Sequence, residues 1–147
     1  MTGIGTAPAI RPMRAAECDA VIALWHACGL VVPWNDPAAD IALALSKPCS
    51  TVLVAEEEGG IAASVMVGHD GHRGWLYYLA VAPMRQRRGL GRAMVSAAEA
   101  WLAEAGPPKV QLMVRATNTM VLAFYETLGY APSPVTVMQK WLRDPSA

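Results

Sequence analysis

The sequence predicts an α/β (α+β) chain with a single mixed central sheet flanked by helices, in the order β-α-α-β-β-β-α-β-α-β. Three observations predict it. Apolar residues recur at helical spacing in several segments, and short apolar or alternating runs lie between them. Gly, Pro or Asp-Pro stands at most of the points where the period changes. Hydrophobic residues make up 54% of the 147 residues and charged residues 16%, which is ample material for one core.

Residues 1–8 are small and Gly-rich and read as a loose leader. Residues 9–143 read as one folded domain and 144–147 as a tail. Ala9 to Met13 is a short first strand. A helix follows from Ala15 to Cys28, with Val21, Leu24, Trp25 and Cys28 on one face and Gly29 as its stop. Asp36-Pro37 is a helix start, an N-cap followed by proline at the first helical position, and that helix runs to Leu45. Ser50–Glu56 and Ile61–Val67 are strands joined by the turn Glu57-Glu58-Gly59-Gly60.

After the polar loop Gly68–Gly74, Trp75 to Val81 is apolar or aromatic on both faces, which fits a central strand closed by Pro83. Leu90 to Ala105 is a helix striped by Met94, Ala97, Ala98 and Trp101 and ended by Gly106-Pro107-Pro108. Lys109–Arg115 alternates as a strand, Asn118–Leu128 is a helix stopped by Gly129, and Val135–Leu142 is a last strand.

Twelve basic residues balance twelve acidic ones, which argues against a nucleic-acid binder. Cys18, Cys28 and Cys49 are too few and too scattered for a metal site or a disulfide framework. No apolar stretch is long enough to span a bilayer, and the N-terminus lacks the blocks of a signal peptide, so no membrane partner and a cytoplasmic location are expected.

The stretch from strand 75–81 into Gln86-Arg87-Arg88-Gly89-Leu90-Gly91-Arg92 carries the chemistry. A glycine-rich turn at a helix start aims unpaired N–H groups at one point, and the helix dipole adds positive potential there, so the turn suits a phosphate. Two other phosphate loops are excluded. There is no G-x-x-x-x-G-K-[ST], and a dinucleotide fingerprint counted from Gly89 meets Met94 at its third glycine.

The loop does fit Q/R-x-x-G-x-G/A. Further on, Asn118 opens a helix that carries Phe124-Tyr125 and ends at Gly129-Tyr130. With these two motifs at this spacing, the chain resembles the GNAT acetyltransferases over residues 10–142. Within that family it looks most like the bacterial YpeA group, in Pro33-Trp34-Asn35-Asp36-Pro37, Asp70-Gly71-His72-Arg73-Gly74 and Tyr77-Tyr78-Leu79.

The resemblance implies an N-acetyltransferase that uses acetyl-CoA and no metal. The main chain of Leu79, Ala80 and Val81 would pair with the pantetheine arm. The turn from Gln86 through Arg87, Arg88, Gly89, Leu90 and Gly91 to Arg92 would hold the pyrophosphate. Asn118 would contact the arm, and Tyr125 would protonate the departing thiolate.

Many relatives place a glutamate on or beside the strand before the loop, and Trp75–Val81 has no carboxylate. His72 and Asp70, just upstream, are then the nearest candidates for the base, and a base acting through ordered water or a substrate arriving already neutral is equally open. Trp34, Asn35, Asp70 and His72 are expected to contact the acceptor. The acceptor stays open among a polyamine, an amino acid, an aminoglycoside-like antibiotic and a protein amine. A homodimer paired through the last strand is equally open. The missing glutamate also leaves room for a non-catalytic acyl-CoA-binding sensor module.

Overall fold

The computed structural model describes residues 8–145. Those residues form two compact units, divided between Leu112 and Met113. The expected leader lies outside them except for Pro8, as do the last two residues of the tail.

The first unit holds a five-stranded sheet in the order β1-β2-β3-β4-β5. The strands are β1 (Ala9–Pro12), β2 (Ser50–Glu57), β3 (Gly60–His69), β4 (Gly74–Val81) and β5 (Val110–Leu112). The first three pairings are antiparallel, and β4 pairs with β5 in parallel. Helices α1 (Cys18–Ala27), α2 (Pro37–Leu45) and α3 (Leu90–Ala105) flank it.

Alternation along β2 explains the two layers. Val52 and Val54 join Val21, Leu24 and Trp25 of α1 and Ile41 and Ala44 of α2 in one buried cluster. Leu53 and Ala55 point the other way and are equally buried. On that side α3 crosses β2, β3 and β4, burying Met94, Val95, Ala98 and Leu102.

Local chemistry accounts for the helix ends. The Asp36 side chain accepts from the Ala39 N–H at 3.1 Å, and Pro37 takes the first turn. A 3-10 turn at Ala15–Glu17 precedes α1, so the predicted first helix is regular only from Cys18.

The second unit holds α4 (Thr119–Thr127), with Asn118 as its cap. The expected last strand, Val135–Leu142, does not form: these residues have no strand structure. A strand needs a partner edge and a face to bury. Here Val135, Met138, Trp141 and Leu142 are all exposed. The strand expected at 109–115 is likewise confined to Val110–Leu112.

Candidate functional site

The end of a strand pairing and an open helix end define the first part of the site. Pairing of β4 with β5 runs from Gly74–Val110 to Leu76–Leu112 and ends there. From Tyr77 onward β4 has no neighbour on that edge within the first unit. Leu79, Ala80 and Val81 lie in this segment, with Ala80 and Val81 paired to Ser64 and Ala63 of β3 on the other side.

The pairing also jumps. Ser64 faces Ala80 and Met66 faces Tyr77, so Tyr78 and Leu79 share the place opposite Val65. This is a β-bulge, and Tyr78 sits in it with φ 53°. A non-glycine residue in that region is held by its surroundings.

The turn beyond β4 is anchored at both ends of Arg85-Gln86. The Gln86 amide donates to the Val81 carbonyl at 3.0 Å. Arg85 pairs with Glu57 at 2.5 Å and donates to the Glu58 carbonyl at 2.6 Å. Arg85 is therefore committed to the β2–β3 hairpin. Arg87, Arg88 and Arg92 are exposed and have no ion-pair partner among the described residues.

Arg87 (φ 66°) and Gly89 (φ 82°) both take left-handed backbone to turn the chain into α3. Helices α2 and α4 begin on side-chain caps, Asp36 and Asn118, whereas Gly89 caps α3 with no side chain. The first regular bond of α3 is Ala93 N–H to the Gly89 carbonyl, 3.0 Å. The amides of Leu90, Gly91 and Arg92 are thus left to an external acceptor. Sixteen residues of helix stand behind that end and concentrate positive potential on it.

A cavity of about 700 Å³ opens in the same unit between α2 and the ends of β2, β3 and β4. Of the four residues expected at the acceptor, Asn35 and Asp70 line it, and Trp34 and His72 do not. Asp70 accepts from the backbone N–H groups of Arg73 (2.7 Å) and His72 (2.9 Å), and these hold its carboxyl below the usual range. His72 is exposed on that turn, and Trp34 is about half exposed.

Residues of α2 without a motif were missed by the sequence reading. Asp40 lines the cavity, and its Oδ2 accepts from the Tyr78 hydroxyl at 2.7 Å. Burial first, and then this carboxylate, push the Tyr78 phenol well above its ordinary value. The only sequence signal was the acidic residue in the first turn of a helix, which reads as dipole compensation.

In the second unit, the Asn118 side chain accepts from Val121 N–H at 3.3 Å, so its amide nitrogen stays available as a donor. Tyr125 is buried, edge-on to Phe124 and Tyr130. Burial pushes its phenol up to about 12. The three cysteines are unpaired thiols, and the described residues contain no group of three or more His, Cys, Asp or Glu side chains suited to a metal ion. No helix among them is long and apolar enough to cross a membrane.

Residues 18–130 match the model of the acetyltransferase (GNAT) family. The chain is 47% identical over 121 residues to an acetyltransferase of Pectobacterium atrosepticum, covering 82% of this chain and 86% of that one. It superposes with a TM-score of 0.72 on the ribosomal-protein-S18-alanine N-acetyltransferase from Escherichia coli, at 25% identity, over 84% of this chain and 77% of that one. With AAC(6')-Iy, solved in complex with the bisubstrate analog CoA-S-monomethyl-acetylneamine, the TM-score is 0.78 at 16% identity, over 92% of this chain and 99% of that one. The motifs at Gln86–Gly91 and Asn118–Tyr130 and the sheet that carries the first of them thus agree with a family match over most of the sequence: the chain belongs to the acetyltransferase (GNAT) family, the N-acetyltransferases.

Proposed function

We propose that the chain transfers the acetyl group of acetyl-CoA to a primary amine by direct attack on the thioester, within a domain spanning residues 9–143. The observation that carries this reading is the start of α3 on Gly89 with no side-chain cap, in the same unit as the stretch of β4 that runs on beyond its pairing with β5. The amides from Arg87 to Arg92 and the side chains of Arg87, Arg88 and Arg92 hold the pyrophosphate. Gln86 fixes the loop to Val81. Leu79, Ala80 and Val81 offer main-chain partners to the pantetheine arm, as an added strand would. Asn118 donates to the same arm.

Attack of the neutral amine on the carbonyl carbon gives a tetrahedral oxyanion. A main-chain N–H of β4 stabilises it. The C–S bond then breaks, the thiolate takes the Tyr125 proton, and an amide and free CoA result. A phenol at about 12 is fully protonated at neutral pH and ready to donate. The amine's own proton passes through water to His72, which faces solvent on the turn that carries Asp70. Asn35 and Asp70 contact the acceptor from the cavity wall, with Trp34 outside it. The two structural relatives are named for a protein-alanine substrate and an acetylneamine conjugate, so amines of both kinds belong in the screen.

Calorimetric titration with acetyl-CoA, run beside Arg88→Glu and Tyr125→Phe, tests this reading. It expects binding that collapses in Arg88→Glu and survives in Tyr125→Phe. Absence of binding by folded wild-type protein overturns it. Binding without turnover on any amine would favour the non-catalytic sensor.

A further inference from the structure

We infer that the cavity beneath α2 receives the acceptor and selects amphiphilic monoamines: an amino head held by Asp40, on an aromatic or aliphatic body lying against Tyr77, Tyr78 and Trp75. The inference rests on the acetyltransferase reading only in saying that what binds there is acetylated, the bound ammonium first giving one proton to solvent so that the neutral nitrogen attacks.

The bulge in β4 builds the aromatic wall. Consecutive strand residues point to opposite faces, yet Tyr77 and Tyr78 both line this cavity. The extra residue between the Ala80–Ser64 and Tyr77–Met66 pairs re-aims one of them. Leu43 and Ala44 of α2 and Met66 and Val67 of β3 add apolar surface. A volume of about 700 Å³ suits a small organic molecule.

Asp40 supplies the polar anchor. Its Oδ2 accepts from the Tyr78 hydroxyl, and its Oδ1 has no donor among the described residues. An ionised carboxylate is acceptor-only with room for several bonds, and an ammonium brings three donors. Tyr78 itself cannot swing away. Its ring stacks on Trp25 at 3.7 Å, and its carbonyl accepts from buried Ser64 at 3.1 Å. The carboxylate is thus held at an aromatic wall, an arrangement that favours a cation.

Charge around the cavity discriminates further. Asp40 and Asp70 face one cation, Lys47, so an anionic acceptor is disfavoured. A sugar-like body rich in hydroxyls would lose its water against the apolar wall without replacement bonds. Asp70 already accepts from the His72 and Arg73 N–H groups and from the Trp75 indole, so a polyamine would set its further ammonium groups against the apolar wall with no unengaged carboxylate.

The full chain would be titrated by calorimetry with 2-phenylethylamine, its uncharged isostere 2-phenylethanol, spermidine and kanamycin, each with and without acetyl-CoA. The amine is expected to bind about tenfold or more tighter than the alcohol, because a hydrogen bond to a charged group outweighs a neutral one. Asp40→Asn is expected to bring the two ligands level while leaving acetyl-CoA affinity unchanged. Tyr78→Phe, which keeps the stack on Trp25, is expected to weaken amine binding less than Asp40→Asn does. Equal binding of amine and alcohol by wild type overturns the inference, as does acetylation of spermidine or kanamycin in preference to phenylethylamine. The wild-type comparison decides the matter even where Asp40→Asn fails to fold. Selective amine binding without any acetyl-CoA binding would uphold the cavity and sink the acetyltransferase reading. The reverse result would uphold that reading and sink the cavity.

Discussion

The rings of Trp25 and Tyr78 lie parallel, centroids 3.7 Å apart and planes 3° from each other, and one hydroxyl ties both to the sheet. Trp25 Nε1–H donates to Ser64 Oγ at 2.8 Å, and that hydroxyl donates to the Tyr78 carbonyl at 3.1 Å. Trp25 and Ser64 are wholly buried. The bulge at Tyr78, with its left-handed backbone, is therefore held from the core side. Ser64→Ala would leave the indole N–H without a partner, at about 2 kcal/mol. The expected result is a Tm lower by roughly 4–8 °C, read by thermal denaturation.

Gly89→Ala separates cofactor contact from folding. At φ 82° an added Cβ is strained by about 1–2 kcal/mol, yet it would meet no protein atom within 4 Å. If phosphate occupies that space, acetyl-CoA affinity falls about tenfold or more while the protein still folds. Calorimetry beside a melting curve makes the comparison. Unchanged affinity would remove the phosphate from Gly89.

Tyr125→Phe is expected to lower kcat by about 10²–10⁴-fold with any amine that turns over, leaving the affinity for acetyl-CoA unchanged. Steady-state kinetics beside calorimetry separates the two quantities. A loss of affinity as large as the loss of kcat would make Tyr125 a packing residue.

The same phenol has a stability signature. Its folded value is raised from 10.0 to about 12 by burial. Its contribution is fully present below pH 10 and is lost as pH rises through about 12. Alkaline denaturation in that window is expected to be shallower in Tyr125→Phe, monitored by circular dichroism.

Glu17 gives the opposite window. It accepts from both terminal nitrogens of Arg11 and from the Arg14 N–H, all at 2.8 Å. These bonds, that of Arg11 foremost, lower its carboxyl from 4.5 to about 2. The stabilisation is present above pH 4.5 and lost as pH falls through about 2. Glu17→Gln should lose stability at neutral pH and show a weaker pH dependence between those limits, read from Tm against pH.

The sequence by itself determined the elements whose signals lie in adjacent residues. Asp36-Pro37 starts α2, Gly106 ends α3, and the runs expected as strands at 50–56 and 61–67 lie within β2 and β3. It also determined the turn at Gln86–Arg92, because glycines at a helix start are written within seven positions. Tertiary structure alone decided the rest. Val135–Leu142 has the pattern of a strand but no ladder, since a pattern cannot supply the partner that stabilises it. Asp40 stands in no motif, and only folding sets it 2.7 Å from the Tyr78 hydroxyl, thirty-eight positions away. The bulge at Tyr78 has no local marker either. It arises where buried Ser64 and Trp25 hold the chain in a conformation that a tyrosine would not take alone.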